Sequence, residues 1–161
     1  MARTSEKCIL LVEDDPNDVF FLRLALEQAG ITNPVRVAST GQQAIDYLEG
    51  NGEYSNRDLF PWPDLVLLDL NLPLVPGIHV LKWIRSRPDF AFLLVLVLTS
   101  SQDERDIEEC SRLGARSFLL KPISQQERMQ LVRSLKDYWL DLNVSPIPEV
   151  RPAERMDAVA L

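Results

Sequence analysis

Side chains that could take part in chemistry stand at the ends of four short apolar runs in this sequence. One run passes into an acidic pair, another ends in a carboxylate followed by turn formers, a third ends in hydroxyls and a fourth in a lysine. Such runs are typical of strands that are buried on both faces of a sheet. Because open α/β folds place their chemistry at the carboxyl edge of the sheet, we expect these side chains to meet there. In chain order they are Glu13, Asp14, Asp69, Thr99 and Lys121.

Three carboxylates at one place repel each other, so the group favours binding of a cation. Mg²⁺ suits a small site made of carboxylates and water. Lys121 adds a fixed positive charge, and the hydroxyl of Thr99 can donate to an anion. This set suits attack by the Asp69 carboxylate on a phosphoryl group, which gives an aspartyl phosphate. The single histidine, His79, is predicted on a helix surface, so the phosphodonor must come from elsewhere.

Segments with strand and helix character alternate five times along the chain. Asp15 followed by Pro16 is typical of a helix start, and Thr40 and Ser124 are candidate N-caps. This alternation predicts an α/β fold with a doubly wound parallel sheet and helices on both faces. The predicted strands are 8–12, 34–38, 65–69, 92–98 and 117–120.

Two segments lie outside this alternation. Residues 51–63 are irregular, and their aromatic side chains predict that the segment packs on the body of the domain. From residue 143 the chain becomes rich in proline and loses its periodicity, which is typical of a tail outside the fold. We therefore expect one domain over residues 7–142 and a tail over 143–161 with no output domain.

Composition narrows the class of protein further. The 161 residues are 46% hydrophobic and carry a net charge of −7, which argues against nucleic acid or an anionic membrane as a partner. The sequence has neither a membrane-spanning stretch nor a secretory signal, so we expect a cytoplasmic protein. Cys8 and Cys110 match no metal-binding or redox spacing, and they are expected to be reduced and partly buried.

The motifs at the strand ends, taken together and in order, resemble the receiver domain of two-component response regulators over about residues 7–142. The motifs are Leu-Val-Glu-Asp at 11–14, Leu-Leu-Asp-Leu-Asn-Leu-Pro at 67–73, Leu-Thr-Ser at 98–100 and Lys-Pro at 121–122. The resemblance implies a flavodoxin-like fold with strand order 2-1-3-4-5. It also implies a non-enzymatic signalling protein that receives its phosphoryl group from a histidine kinase.

The same resemblance implies a role for each site residue. Asp69 would be the phosphoacceptor, and Lys121 would bind the phosphoryl oxygens. Mg²⁺ would be held by Glu13, Asp14, Asp69 and the backbone carbonyl of Asn71. Thr99 would move to bond the phosphate, and Phe118, in the aromatic switch position, would turn inward with it.

Within the family, the chain resembles the single-domain regulators that are paired with bacterial phytochromes. This likeness rests on Pro-Asn-Asp after the acidic pair, the aromatic loop before the third strand and the Asp-Leu-Asn-Leu-Pro motif. One departure is Pro76 before Gly77, where the family usually has an acidic residue, and it predicts a different turn and kinase docking surface. Ser101, two residues past Thr99, gives no forecast of phosphate lifetime.

Several alternatives stay open at this point. A Mg²⁺-dependent phosphohydrolase or phosphotransferase with an Asp69 nucleophile uses similar chemistry, although a second general acid is missing. Asp15 is either an N-cap or a third metal ligand, Thr99 could simply cap its loop, and Phe118 could be a plain core residue.

Output is expected through a downstream protein or a phosphotransfer protein. A homodimer through the face of the fourth helix, fifth strand and fifth helix is a further hypothesis. It is motivated by Tyr138, Trp139 and Leu140, because neighbouring residues of a helix cannot both face the core.

Overall fold

A computed structural model describes residues 7–100 and 103–142 of the chain. Its strands are β1 (Ile9–Val12), β2 (Val35–Ala38), β3 (Leu65–Asp69), β4 (Leu94–Thr99) and β5 (Ser117–Leu120). Its helices are α1 (Pro16–Gln28), α2 (Gly41–Glu49), α3 (Gly77–Ser86), α4 (Glu104–Arg112) and α5 (Gln125–Ser134). Short 3₁₀ turns cover Gly52–Ser55 and Pro88–Phe90, and α5 continues through wider π-type turns over Leu135–Leu142.

The strands form one parallel sheet in the order β2-β1-β3-β4-β5, which confirms the predicted fold class and strand order. Successive residues of a strand point to opposite faces, and both faces of this sheet are covered. Leu10, Val66 and Val95 contribute to the core beneath α2, α3 and α4. Leu11 and Leu67 contribute to the second core, beneath α1 and α5. The continuous apolar runs of the sequence therefore reflect burial on both sides.

The predicted helix starts are confirmed. The Asp15 side chain accepts a 2.8 Å hydrogen bond from the backbone N–H of Asn17, and Pro16 is the first residue of α1. Ser124 and Glu127 form a capping box at the start of α5, in which each side chain accepts from the backbone of the other. These caps determine where the helices begin, and therefore how long the loops above the sheet edge are.

The irregular segment 51–63 packs on α2, as predicted. The hydroxyl of Tyr47, which is buried, donates a 2.7 Å hydrogen bond to the carbonyl of Pro61. The Arg57 guanidinium lies 3.8 Å from the ring centroid of Trp62, and Tyr54 and Phe60 pack edge-to-face at 5.1 Å. Aromatic and cation–π contacts therefore hold the loop against the domain.

Two sequence predictions need correction. The fourth strand begins at Leu94 rather than at Phe92, because a 3₁₀ turn and a bend precede it and leave Phe92 60% exposed. The expectation that neighbouring helix residues cannot both face the core is wrong here: Leu140 is buried in the core with α1, and Trp139 beside it is half-buried against the same core. The π-type turns shift the helical phase from 3.6 residues per turn, so that neighbouring residues both reach apolar surroundings.

Cys8 and Cys110 are free thiols, and both are fully buried rather than partly buried. Burial raises the pKa of each thiol to about 11, which keeps both protonated at neutral pH. Among the described residues, no helix combines the length and the apolar character that crossing a bilayer requires. The predicted tail at 143–161 and Ser101 lie outside the described residues.

The hydrogen bond between Tyr47 and Pro61 gives a prediction for stability. We expect Tyr47→Phe to lower the free energy of unfolding by about 1–2 kcal/mol, because the half-buried Pro61 carbonyl loses its donor. Urea denaturation measures this change. Tyr54→Phe is the matched control, since this ring packs in the same cluster and the hydroxyl makes no comparable bond among the described contacts. Equal losses in the two variants would contradict the assignment.

Candidate functional site

The carboxyl edge of the sheet brings together the polar residues that end β3 and β4 and those that directly follow β1 and β5. Strand register sets their relative height, because Val12 pairs with Leu68 and Thr99 pairs with Leu120. Lys121 follows directly, and its backbone N–H donates to the Thr99 carbonyl at 2.9 Å. The predicted residues Glu13, Asp14, Asp69, Thr99 and Lys121 therefore stand side by side at one edge.

Lys121 lies at the centre of this group. Its ammonium is 2.8 Å from Oδ2 of Asp69 and 2.6 Å from Oε2 of Glu13. A third carboxylate, Asp18 in the first turn of α1, has its Oδ2 atom at 3.1 Å. Asp69 and Glu13 are only 3% and 5% exposed, so two carboxylates that are almost completely removed from water share a single ammonium.

The pKa values of Glu13 and Lys121 reflect this burial. Burial raises the pKa of Glu13 to about 7, and the nearby charge of Asp69 acts in the same direction, against the hydrogen bond from Lys121. Burial alone would lower the pKa of Lys121, but its hydrogen bonds to Asp69 and Glu13 outweigh burial and raise it. The lysine therefore stays charged throughout the physiological range of pH.

A metal ion fits the same edge. Oxygen atoms of Glu13, Asp14 and Asp69 all lie within 4.8 Å of one another, and Asp14 is exposed to solvent. Carboxylate oxygens are the ligands of hard divalent cations such as Mg²⁺. Asp15 acts as the N-cap of α1, while its backbone N–H donates to Oε1 of Glu13 at 3.1 Å. This geometry favours the capping interpretation of Asp15 over the role of a metal ligand.

Asn71 organises the loop that follows Asp69. Its backbone N–H donates to Oδ1 of Asp69 at 2.9 Å, which orients the carboxylate. Its side-chain amide is 3.4 Å from Oγ1 of Thr99 and 3.3 Å from Oγ of Ser100. Thr99 is fully buried, and Phe118 is half-buried against the core beneath α3 and α4. The role of the Asn71 carbonyl as a metal ligand stays a prediction.

The turn after Asp69 is closely packed. A Cβ atom at Gly77 would lie 2.1 Å from the Asp69 carbonyl oxygen, so only glycine fits at the start of α3. Pro76, the departure noted in the sequence, occupies the N-cap position of α3 and makes no side-chain cap. His79 is exposed on α3, as predicted. The described residues therefore bring no imidazole to Asp69.

Sequence reasoning missed Asp18. In the sequence it stands out only as part of the Pro-Asn-Asp motif after the acidic pair. Its contact with Lys121 joins residues that are 103 positions apart, and no local pattern signals it. The amide contacts of the Asn71 side chain were missed for the same reason.

The sequence profile of the response regulator receiver domain matches residues 9–133. The chain is 37% identical over 143 residues to a probable methanogenesis regulatory protein, FilR2, of Methanothrix harundinacea, covering 87% of this chain and 88% of that protein. It is 34% identical over 140 residues to the response regulator Rcp1 of Synechocystis, covering 87% of this chain and 93% of Rcp1.

Solved structures of phytochrome response regulators are also similar to this chain. The phosphorylated cyanobacterial phytochrome response regulator RcpA superposes with a TM-score of 0.80 at 34% identity, covering 88% of this chain and 99% of RcpA. The Mn²⁺-bound form of Rcp1 superposes with a TM-score of 0.78, covering 87% of this chain and 99% of that one.

Receiver-domain proteins of this kind are generally non-enzymatic signalling proteins that accept a phosphoryl group on an aspartate and bind a divalent metal. The receiver domains of phytochrome response regulators interact with histidine kinases. With its profile match over 9–133, its sheet order and its relatives at 34–37% identity, this chain belongs to the response regulator receiver domain family and resembles its phytochrome regulators.

Proposed function

We propose that Asp69 is the phosphoacceptor of this receiver domain and that a histidine kinase supplies the phosphoryl group in the presence of Mg²⁺. The observation that carries the proposal is the position of Asp69, which is 3% exposed and 2.8 Å from the Lys121 ammonium at an edge shared with Glu13 and Asp14. The proposal takes residues 7–142 as the receiver domain. Signalling then proceeds through altered protein contacts rather than through turnover of a substrate.

Each residue has one task in the transfer. The carboxylate of Asp69 is the nucleophile, and a carboxylate has no proton for a general base to remove. The backbone N–H of Asn71 keeps Oδ1 in place, and Lys121 donates to the oxygens of the incoming phosphoryl group. The leaving group departs with the phosphodonor, and His79, which is exposed on α3, is given no task in the transfer.

Glu13, Asp14 and Asp69, together with the Asn71 carbonyl, would hold Mg²⁺. When bound, the cation neutralises charge on the transferred oxygens. The three side chains support this assignment because their oxygens lie within 4.8 Å of one another and Asp14 is open to solvent. Mn²⁺ in the structure of Rcp1 supports a divalent ion of the same kind.

The proposed switch uses Thr99 and Phe118. Phosphorylation would draw the Thr99 hydroxyl towards the phosphoryl group, and Phe118 would turn inward into the space beside it. Support comes from the half-buried state of Phe118 and from the strand register, in which Phe118 pairs with Val97, two residues before Thr99. Phosphorylation would thereby shift an equilibrium between two arrangements of the surface around α4, β5 and α5.

A bacteriophytochrome kinase is the proposed donor, supported by 34% identity to phytochrome regulators. The proposed receiver of the signal is a downstream protein or a phosphotransfer protein. A homodimer through α4, β5 and α5 is also proposed, and its support now differs from the sequence-based argument. Leu140 is buried, whereas Leu120 and Tyr138 are exposed by 53% and 57%.

The phosphoacceptor is tested with acetyl phosphate and Mg²⁺. We expect intact-protein mass spectrometry to detect one phosphoryl group on the wild-type chain and none on Asp69→Asn. Lys121→Ala is expected to slow the reaction by about a hundred-fold, because one donor to the developing charge is lost. Lys82→Ala is the control, since this lysine pairs with Glu109 at the surface.

Far-UV circular dichroism of each variant separates loss of chemistry from loss of fold. In a second experiment, a bacteriophytochrome kinase and other histidine kinases are compared as phosphodonors. We expect transfer to be fastest from the phytochrome kinase. Phosphorylation of Asp69→Asn would contradict the assignment of Asp69 as phosphoacceptor. Steady hydrolysis of phosphate esters by the wild type would instead support the enzyme alternative.

Metal binding gives an independent prediction. We expect Asp14→Asn and Glu13→Gln each to weaken the binding of Mg²⁺ by about ten-fold or more, because each removes an anionic oxygen ligand. Isothermal titration measures the affinity. Asp15→Asn keeps the N-cap and should leave the affinity within about two-fold. An equal loss in Asp15→Asn would restore Asp15 as a metal ligand.

The dimer is tested by light scattering of the phosphorylated chain at micromolar concentration. We expect a dimer that Tyr138→Ser weakens, because an exposed aromatic side chain at an interface is lost. Leu59→Ser is the matched control, since Leu59 is equally exposed but lies in the loop before β3. A single 18.3 kDa species in the wild type would exclude this interface.

A further inference from the structure

Asp18 is the one carboxylate at Lys121 to which the proposed phosphotransfer gives no task. It lies in the first turn of α1, and its Oδ2 atom is 3.1 Å from the Lys121 ammonium. An ammonium has three N–H donors, and Lys121 contacts three carboxylates: Glu13, Asp18 and Asp69. Its donors are therefore all engaged in the structure.

A phosphoryl oxygen can bind Lys121 only if one of these three hydrogen bonds is given up. The bonds to Glu13 and Asp69 are shorter, at 2.6 and 2.8 Å, and both acceptors are almost completely buried. In the resting state, before a metal ion binds, either carboxylate would be left without a cation if it gave up the ammonium, and water reaches neither of them, so breaking either bond is costly. The Asp18 side chain is 43% exposed, and water can replace the ammonium there at little cost.

The path for this exchange is open. Asp18 and Lys121 line a cleft of about 350 Å³ together with Ser100, Pro122 and Arg128. The cleft leads from solvent to the lysine, beside the edge where Asp69 stands. An incoming phosphodonor therefore meets the Asp18 carboxylate and the Lys121 ammonium in the same space.

The geometry points to Asp18 as a positioning residue that holds Lys121 in the resting state, competes with the phosphoryl oxygen for its third N–H, and thereby slows phosphorylation of Asp69. This inference rests on the proposed function of Asp69. In the reaction with acetyl phosphate, an oxygen of Asp69 forms a bond to phosphorus while the bond from phosphorus to the acetate oxygen breaks. The electron pair leaves with acetate, and no proton is transferred.

Two effects of Asp18 act in the same direction. Its hydrogen bond occupies the donor that the phosphoryl group needs, and its negative charge repels the anionic donor. Because Asp18 is partly exposed, solvent screens both effects. We therefore expect removal of the carboxylate to accelerate phosphorylation by about two- to five-fold rather than by orders of magnitude.

The test compares initial rates of phosphorylation by acetyl phosphate at saturating Mg²⁺, followed by intact-protein mass spectrometry on the full chain. Asp18→Asn removes the charge, Asp18→Ala removes the charge and the acceptor, and Asp18→Glu restores both. Asp15→Asn is the matched control, because it removes one negative charge nearby while asparagine still caps α1. Asp69→Asn measures the background of phosphorylation at sites other than Asp69.

We expect Asp18→Ala and Asp18→Asn to react about two- to five-fold faster than the wild type, with Asp18→Glu and Asp15→Asn close to the wild-type rate. An unchanged or slower rate in Asp18→Ala, with normal labelling of the wild type, overturns the inference alone. Equal acceleration in Asp15→Asn also overturns it, since the effect would then come from the loss of any nearby negative charge rather than from the contact with Lys121. Failure of the wild type to form an adduct on Asp69 overturns the proposed function itself.

Discussion

The burial of two carboxylates beside one ammonium is the constraint on which the carboxyl edge of this sheet depends. Glu13 and Asp69 follow neighbouring strands and are nearly inaccessible to water, so both require a cation close by. Lys121 supplies that cation only because β5 pairs with β4 in the observed register, which sets the lysine one residue beyond the partner of Thr99. Strand order and register are thus conditions for the electrostatics of the site.

The starts of α1 and α3 also place residues at this edge of the sheet. Asp15 starts α1 directly after the acidic pair, and this early start carries Asp18 to within reach of Lys121. On the other side of Asp69, Gly77 lets α3 begin against the Asp69 carbonyl, where any side chain would collide. Loop length at both places is therefore set by local backbone chemistry, and the short loops bring helix residues into the site beside strand residues.

Much of this arrangement could be predicted, for physical reasons that differ between residues. Asp15 and Ser124 were predictable as caps because capping involves residues two or three positions apart. Asp69 and Lys121 were predictable together because parallel strands end at one edge. The start of β4 was not, since an apolar run does not show where Leu94 meets its partner Leu65. The burial of Leu140 was not predictable, because it depends on the π-type turns. The contact of Asp18 with Lys121 was not predictable either, because it joins α1 to the residue that follows β5.

Carboxylates outnumber cations at this edge, which therefore favours the binding of a second cation. Glu13, Asp14, Asp18 and Asp69 contribute four carboxylates. Lys121 contacts all of them except Asp14, and it is the only cation paired with any of the four among the described ion pairs. A phosphoryl group would add further negative charge to a place where burial already raises the pKa of Glu13 to about 7. A divalent ion held by the exposed Asp14 and its buried neighbours would remove that conflict. In the proposed function, the surplus of carboxylates is therefore the physical reason why acceptance of a phosphoryl group would depend on the metal.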